Sequence, residues 1–226
     1  MSIIESVEVI NVAIPLDKVT SFSTRTVSER HYCLVKVKNK EGLEGIGFCY
    51  VGSGAGLIAR VAVEELLAPK LIGQNSHRTE GLWQEMYAEA ILQGRSGSVM
   101  RGISILDNAL WDLNAQAANL PLHEYLGAVT LDKVPAYASG GYYVDGKTPS
   151  HLAKEMENYV SLGFKAVKMK TGRLSPAEEE ERLAAVRDAV GEDILVTMDA
   201  NNAWADLPTA MEYIKRFEEY NPYWIE

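Results

Sequence analysis

Two lysines, Lys168 and Lys170, sit in the stretch Phe164-Lys165-Ala166-Val167-Lys168-Met169-Lys170-Thr171-Gly172. Apolar residues interleave with the lysines and a glycine closes the run, which predicts a short β-strand. Side chains alternate faces along a strand, so Lys168 and Lys170 point the same way. Two ammonium groups side by side are unfavourable unless an anion sits with them. About 30 residues further on, Leu195-Val196-Thr197-Met198-Asp199-Ala200-Asn201 is a second apolar strand ending in a carboxylate, and after a similar interval Tyr223-Trp224-Ile225-Glu226 repeats the arrangement. Polar tips on successive strands predict a pocket at the C-terminal face of a β/α barrel. Simpler readings exist: Lys-x-Lys is commonly a solvated face, and Asp199 and Asn201 are residue types that turns favour.

The elements around these residues fall into two patterns. In residues 1–126, strands come first and helices follow, an α+β arrangement. Residues 3–16 alternate as a strand ending at Pro15. Thr20-Ser21-Phe22-Ser23-Thr24-Arg25-Thr26 then reads either as a surface loop or as a lid over a ligand. Residues 31–38 and 43–50 predict a hairpin around Asn39-Lys40-Glu41-Gly42, with Gly45 and Gly47 leaving room for close packing. The glycine-rich turn Gly52–Gly56 lacks the lysine of a phosphate-binding loop and reads as flexible. Helical periodicity runs from Leu57 to about Leu126, most clearly at Ile103, Leu106, Leu110, Leu113 and Ala117. In residues 127–226 the order becomes β-α-β-α-β-α-β, with a strand over 134–139 and helices opened by Thr148-Pro149 and by the capping box Ser175–Glu178. Ser139 ends the first of these strands, pointing inward with Tyr137; it reads equally as a pocket residue or as a small residue before a Gly-Gly turn. Trp111 and Trp224 read as core. Eight such units make a barrel of about 250 residues. The fold expected is therefore an α+β capping domain (1–126) followed by the first part of a TIM-type barrel (127–226), a piece of a longer protein stopping inside its fourth strand.

Bulk composition narrows the partners. The chain has 226 residues, 47% hydrophobic and 23% charged, as an ordinary globular protein does. A net charge of −9 argues against nucleic acid, which needs clustered Lys and Arg. No apolar run approaches the roughly 20 residues of a membrane span, and the N-terminus has no basic segment of the kind that opens a signal peptide. Cys33 and Cys49 lie on neighbouring predicted strands and read as free thiols in a reducing cytoplasm.

The α+β start, the helix Ala109-Leu110-Trp111-Asp112-Leu113, the passage Pro121-Leu122 to Leu126-Gly127, Lys168-x-Lys170, Asp199-x-Asn201 and Ile225-Glu226 together resemble the mandelate racemase and muconate lactonizing branch of the enolase superfamily. The resemblance spans the whole chain. It implies an enzyme that binds Mg²⁺ through three carboxylates on successive barrel strands and removes the proton α to a carboxylate, giving a metal-stabilised enediolate. By the same resemblance Lys170 is the general base, and Lys168 contacts the substrate carboxylate and lowers the pKa of the base. Asp199 and Glu226 are the first and second metal ligands, and Asn201 touches substrate. The segments Thr20–Thr26 and Gly52–Gly56 are the two capping loops. The third ligand and a histidine backed by an aspartate would lie beyond Glu226; none of the four histidines here (His31, His77, His123, His151) matches that role.

The chemistry gives reasons for these residue types. An α-proton beside a carboxylate is a weak acid, because the electron pair left behind must enter a group already negative; a divalent cation and an ammonium offset that charge. Hard carboxylate oxygens suit Mg²⁺. A free lysine, with pKa about 10.4, is protonated at neutrality; a neighbouring cation on the same strand face disfavours that charge and makes the amine a better base. The expected substrate is a small carboxylic acid. Dehydration of an acid sugar comes first, then racemisation or epimerisation, then lactone cycloisomerisation. Arg25 and Ser139 are further candidate substrate contacts. A Schiff-base aldolase using Lys170, trappable by borohydride, is a rival enzyme. A half-barrel without catalytic activity is a rival of another class, and the 226-residue piece alone is expected to be inactive. Homo-oligomerisation is expected from the resemblance.

Overall fold

Three strands open the chain: β1 (Ile4–Phe22), β2 (Arg25–Asn39) and β3 (Glu44–Gly52), in the sheet order β1-β2-β3. The computed structural model describes residues 2–52, 54, 56–128 and 133–226; Ser53 and Ala55 of the glycine-rich turn lie outside the described residues. β2 pairs antiparallel with β3. The turn between them is built by Asn39, whose carbonyl accepts from Gly42 N (3.0 Å) and whose Oδ1 accepts from Leu43 N (2.8 Å). Gly42 takes φ +89°, a conformation that suits a residue without Cβ.

Helices follow. α1 (Gly56–Val61) continues through a π turn (Ala62–Leu67) into α2 (Ala68–Leu71), and α3 (Thr79–Glu89), α4 (Gly97–Ala117) and the short α5 (Leu122–Tyr125) come after. The period-two burial of Cys33, Val35 and Val37 meets the period-3.6 stripe Ile103, Leu106, Leu110 and Leu113 of α4 in one core. Gly45 and Gly47 explain how close the two layers come: a Cβ at either would collide with a backbone carbonyl of α4, that of Ala109 or Ile105.

β1 differs from expectation. It runs on past Pro15 to Phe22. It is an edge strand, so the donor that proline lacks is dispensable on its open side. The chain divides into two compact units at this strand: residues up to Pro15 and from Glu29 onward belong to the first, while Leu16–Ser28 clusters with Lys133–Glu226 in the second.

The second unit is a parallel sheet, β4 (Ala138–Ser139), β5 (Ala166–Lys170), β6 (Leu195–Asp199) and β7 (Trp224–Ile225), in that order. Strands alternate with α6 (Pro149–Ser161), α7 (Pro176–Val190) and α8 (Leu207–Phe217). Each helix has a start written in its sequence: Thr148 and Ser175 form capping boxes with His151 and Glu178, and the Asp206 carboxylate accepts from Thr209 N at 2.8 Å. Val167, Met169, Val196 and Met198 point to the helical side and pack with Leu152, Met156, Leu183, Val186 and Phe217. Burial of each such side chain contributes about 1.5–3 kcal/mol. β4 is shorter than the strand expected over 134–139, since only Ala138 and Ser139 pair with β5; Pro135 offers no N–H and β4 has a single neighbour. No described helix is long and apolar enough to cross a membrane.

Candidate active site

Sheet register assembles the site. Lys168 stands opposite Ser139 on one side and Thr197 on the other, Thr197 opposite Trp224, and Lys170 opposite Asp199. Residues in register share a face, and this face is the one turned away from the helices. Lys170 Nζ donates to Asp199 Oδ2 at 2.7 Å, and Lys168 Nζ lies 3.1 Å from the same oxygen. Lys168 Nζ also donates to Glu226 Oε2. The anion demanded by the two side-by-side ammonium groups is thus Asp199, shared by both, with Glu226 added from the next strand. Lys168, Lys170 and Asp199 are 7%, 6% and 4% exposed, so these charges are compensated inside the protein rather than by solvent.

The titration behaviour follows from this geometry. Burial by itself pushes the Lys168 ammonium down, but the hydrogen bonds and charges of Glu226 and Asp199 outweigh it and hold Lys168 above the usual lysine range. Burial likewise opposes ionisation of Asp199, yet the bonds from Lys170, Lys168 and the Asn201 N–H keep its carboxyl below the usual aspartate range.

Asn201 adopts φ 49° just past β6, donates its N–H to Asp199 Oδ1 at 2.9 Å, and leaves its own buried Oδ1 without a hydrogen-bond partner among the described residues. Ser139 shares the lysine face but is exposed on the edge strand. Arg25 is exposed, and among the described residues its side chain forms no hydrogen bond or ion pair with the lysines or carboxylates of the site. Two aromatic rings sit beside the ammonium groups: Trp224, 5.0 Å from Lys168 Nζ, and Tyr142, 5.2 Å from Lys170 Nζ. Trp224 therefore stands half-buried on the lysine face, not in the apolar core that its residue type suggests. Its spacing of two from Glu226 is the signal that places it there.

The segment Thr20–Thr26 is a hairpin tip. Phe22 ends β1, Arg25 begins β2, and Ser23 and Thr24 turn between them. Ser23 Oγ donates to the Ala200 carbonyl and Thr24 Oγ1 to the Asn201 carbonyl at 3.3 Å. Behind the tip, Ser21 and Tyr143 exchange backbone hydrogen bonds of 2.7 and 2.8 Å.

A buried network supports the end of β5. Glu179 is fully buried on α7. Its Oε1 accepts from Tyr143 Oη and from the N–H groups of Arg173 and Leu174, both at 3.0 Å; its Oε2 accepts from Arg182 at 2.5 Å. Arg182 also donates to the carbonyls of Lys170 (2.9 Å) and Gly141 (3.1 Å), with its guanidinium 4.1 Å from the Tyr143 ring. Burial drives the Tyr143 phenol well above its ordinary pKa, so it remains a donor to Glu179. The sequence hides this network, because Glu179 stands in the run Glu178-Glu179-Glu180-Glu181, which looks like a solvated helix face.

Among the described residues, no cluster of three or more His, Cys, Asp or Glu side chains is arranged as a metal site; Asp199 and Glu226 each approach Lys168 Nζ.

Comparison with known proteins places this geometry in context. Residues 4–127 match the family model for the mandelate racemase / muconate lactonizing enzyme N-terminal domain, and residues 151–226 match that for the enolase C-terminal domain-like family. Arabinonate dehydratase from Saccharolobus solfataricus is 38% identical over 183 residues, covering 78% of this chain and 48% of that protein. L-talarate/galactarate dehydratase from Salmonella typhimurium is 32% identical over 214 residues, covering 92% and 52%. Its crystal structure liganded with Mg and L-lyxarohydroxamate matches with TM-score 0.88 and 29% identity, over 98% of this chain and 57% of that one. A racemase from Streptomyces coelicolor A3(2) with bound magnesium matches with TM-score 0.91 and 28% identity, over 99% and 62%. The chain spans about half the length of the curated relatives it matches.

Proposed function

The chain belongs to the mandelate racemase / muconate lactonizing enzyme family of the enolase superfamily, and on that premise we propose that the protein carrying it is a Mg²⁺-dependent acid-sugar dehydratase. The observation that carries this reading is the convergence of Lys168, Lys170, Asp199 and Glu226 on the helix-free face of one parallel sheet. Arabinonate and L-talarate/galactarate dehydratases among the relatives support the substrate class.

The donor set fits a hard divalent cation. Asp199 and Glu226 offer carboxylate oxygens from adjacent strands, and both already reach one positive group, the Lys168 ammonium. These two residues would hold Mg²⁺, which when bound neutralises charge on the substrate carboxylate. The chain's own residues do the rest. Lys170, at the end of β5, takes the proton α to the carboxylate. Lys168, one strand step below, holds the carboxylate by a charge-assisted hydrogen bond. The unpartnered Oδ1 of Asn201 accepts from a substrate hydroxyl. Ser139 lines the rim, and Arg25 near the hairpin tip meets the distal end of the substrate. Lys170 takes the α-proton, the bond from Cβ to its hydroxyl oxygen breaks, and the hydroxyl leaves as water with the proton that Lys170 gives up, so that an enol forms and becomes an α-keto acid.

The test uses the polypeptide encoded by the whole reading frame, supplied with Mg²⁺ and a panel of acid sugars. An α-keto product, trapped as a semicarbazone, and its loss in Lys170→Ala are expected. No keto acid from any member of the panel, or full turnover by Lys170→Ala, overturns the reading. Return of an epimer instead of a keto acid would favour an isomerase, a reading supported by the likeness to the magnesium-bound racemase. The polypeptide ending at Glu226 is expected to turn over none of these substrates by itself.

A further inference from the structure

We propose that Tyr142 is a positioning residue for Lys170, its ring face fixing where the amine points; this rests on the reading of Lys170 as the base. A lysine side chain has four rotatable bonds, and proton abstraction needs its nitrogen held close to one carbon. Two groups hold it here: Asp199 Oδ2 at 2.7 Å and the Tyr142 ring at 5.2 Å. In the ammonium form the nitrogen is drawn to the ring face, an attraction that burial strengthens; in the neutral form that accepts the proton, the same ring bounds the side on which the amine can lie.

The backbone that presents Tyr142 is fastened at every residue from 141 to 143. Gly141 N donates to Glu155 Oε1 at 3.0 Å, the Tyr142 carbonyl accepts from Lys147 Nζ at 2.9 Å, and Tyr143 is paired with Ser21. Gly141, at φ +67°, lies so close to β5 that a Cβ there would be 2.7 Å from Met169 Cα. Arg182 completes the brace. One guanidinium bonds both the Gly141 carbonyl, next to Tyr142, and the Lys170 carbonyl. The backbones carrying ring and amine are therefore locked to each other. No hydrogen bond of the Tyr142 hydroxyl occurs among the described residues, which makes the ring the working part.

The experiment uses the polypeptide from the whole reading frame. Tyr142→Leu is expected to lower kcat about tenfold with KM and Tm nearly unchanged, and Tyr142→Phe to restore kcat to within about twofold. A purely structural role would instead lower Tm. A kcat for Tyr142→Leu equal to that of the parent, or no rescue by Phe, overturns the inference. Undiminished turnover by Lys170→Ala sinks the base reading instead, as does a parent enzyme without turnover. In those cases the positioning claim is decided by NMR of protein carrying ¹³Cε-lysine. The Lys170 ε-methylene signal, assigned by its absence in Lys170→Arg, must lose a ring-current shift in Tyr142→Leu. A signal that stays in place overturns the inference.

Discussion

Replacing Glu179 by leucine tests whether the end of β5 depends on the buried network beneath it. The substitution removes a fully buried carboxylate that accepts from Arg182, Tyr143, Arg173 N and Leu174 N. Breaking a buried ion pair by removing one partner costs about 3–5 kcal/mol. The lower part of that range applies, because the Arg182 guanidinium keeps the carbonyls of Lys170 and Gly141. The N–H of Arg173 retains Tyr143 Oη at 3.3 Å, but that of Leu174 loses its acceptor, which adds about 1–3 kcal/mol. The expected loss is on the order of 4–6 kcal/mol. Urea unfolding followed by far-UV circular dichroism measures it. Glu179→Gln, which keeps an acceptor oxygen, should cost roughly half as much. A loss below about 1 kcal/mol for Glu179→Leu would refute the reasoning.

Gly47→Ala must push α4 away from β3 at the Ile105 carbonyl and should lower stability by at least about 1–3 kcal/mol, read as a drop in urea midpoint. The depressed pKa of Asp199 makes its contribution present above the unfolded value of 3.8 and progressively lost as the pH falls below it; Asp199→Asn should flatten that part of an acid-unfolding curve. At the alkaline end, burial, aided by Cys49, raises the Cys33 thiol from 9.0 to about 11. Its contribution is whole below pH 9.0 and lost as the pH rises through about 11, so Cys33→Val should show a shallower decline of urea midpoint over that range.

The sequence made the shared face of the two lysines legible because parity alone decides it, whereas the level at which Asp199 meets them is set by the register of β5 with β6. Lys168 and Lys170 share a face whatever the register, and a parallel neighbour ending in Asp199 brings a carboxylate to the same level. Gly45 and Gly47 were equally readable, since a strand with two missing side chains invites a close neighbour, here α4. Pro15 misled, because its cost to a strand depends on whether that strand lies at an edge, which is a property of the sheet. Trp224 has a residue type that suggests core, while its spacing of two from Glu226 puts it on the lysine face. Glu179 and Arg182 were illegible: within a charged helical run, only tertiary packing tells the buried pair from its solvated neighbours. Tyr142 was hidden for a similar reason, its role resting on a loop geometry that Arg182 imposes.

At the hairpin tip, Ser23 and Thr24 both donate to main-chain oxygens, those of Ala200 and Asn201. Peptide oxygens are common to all twenty amino acids, so these two bonds do not depend on which side chains stand at positions 200 and 201. Substitutions of those two side chains can therefore leave both bonds of the tip in place.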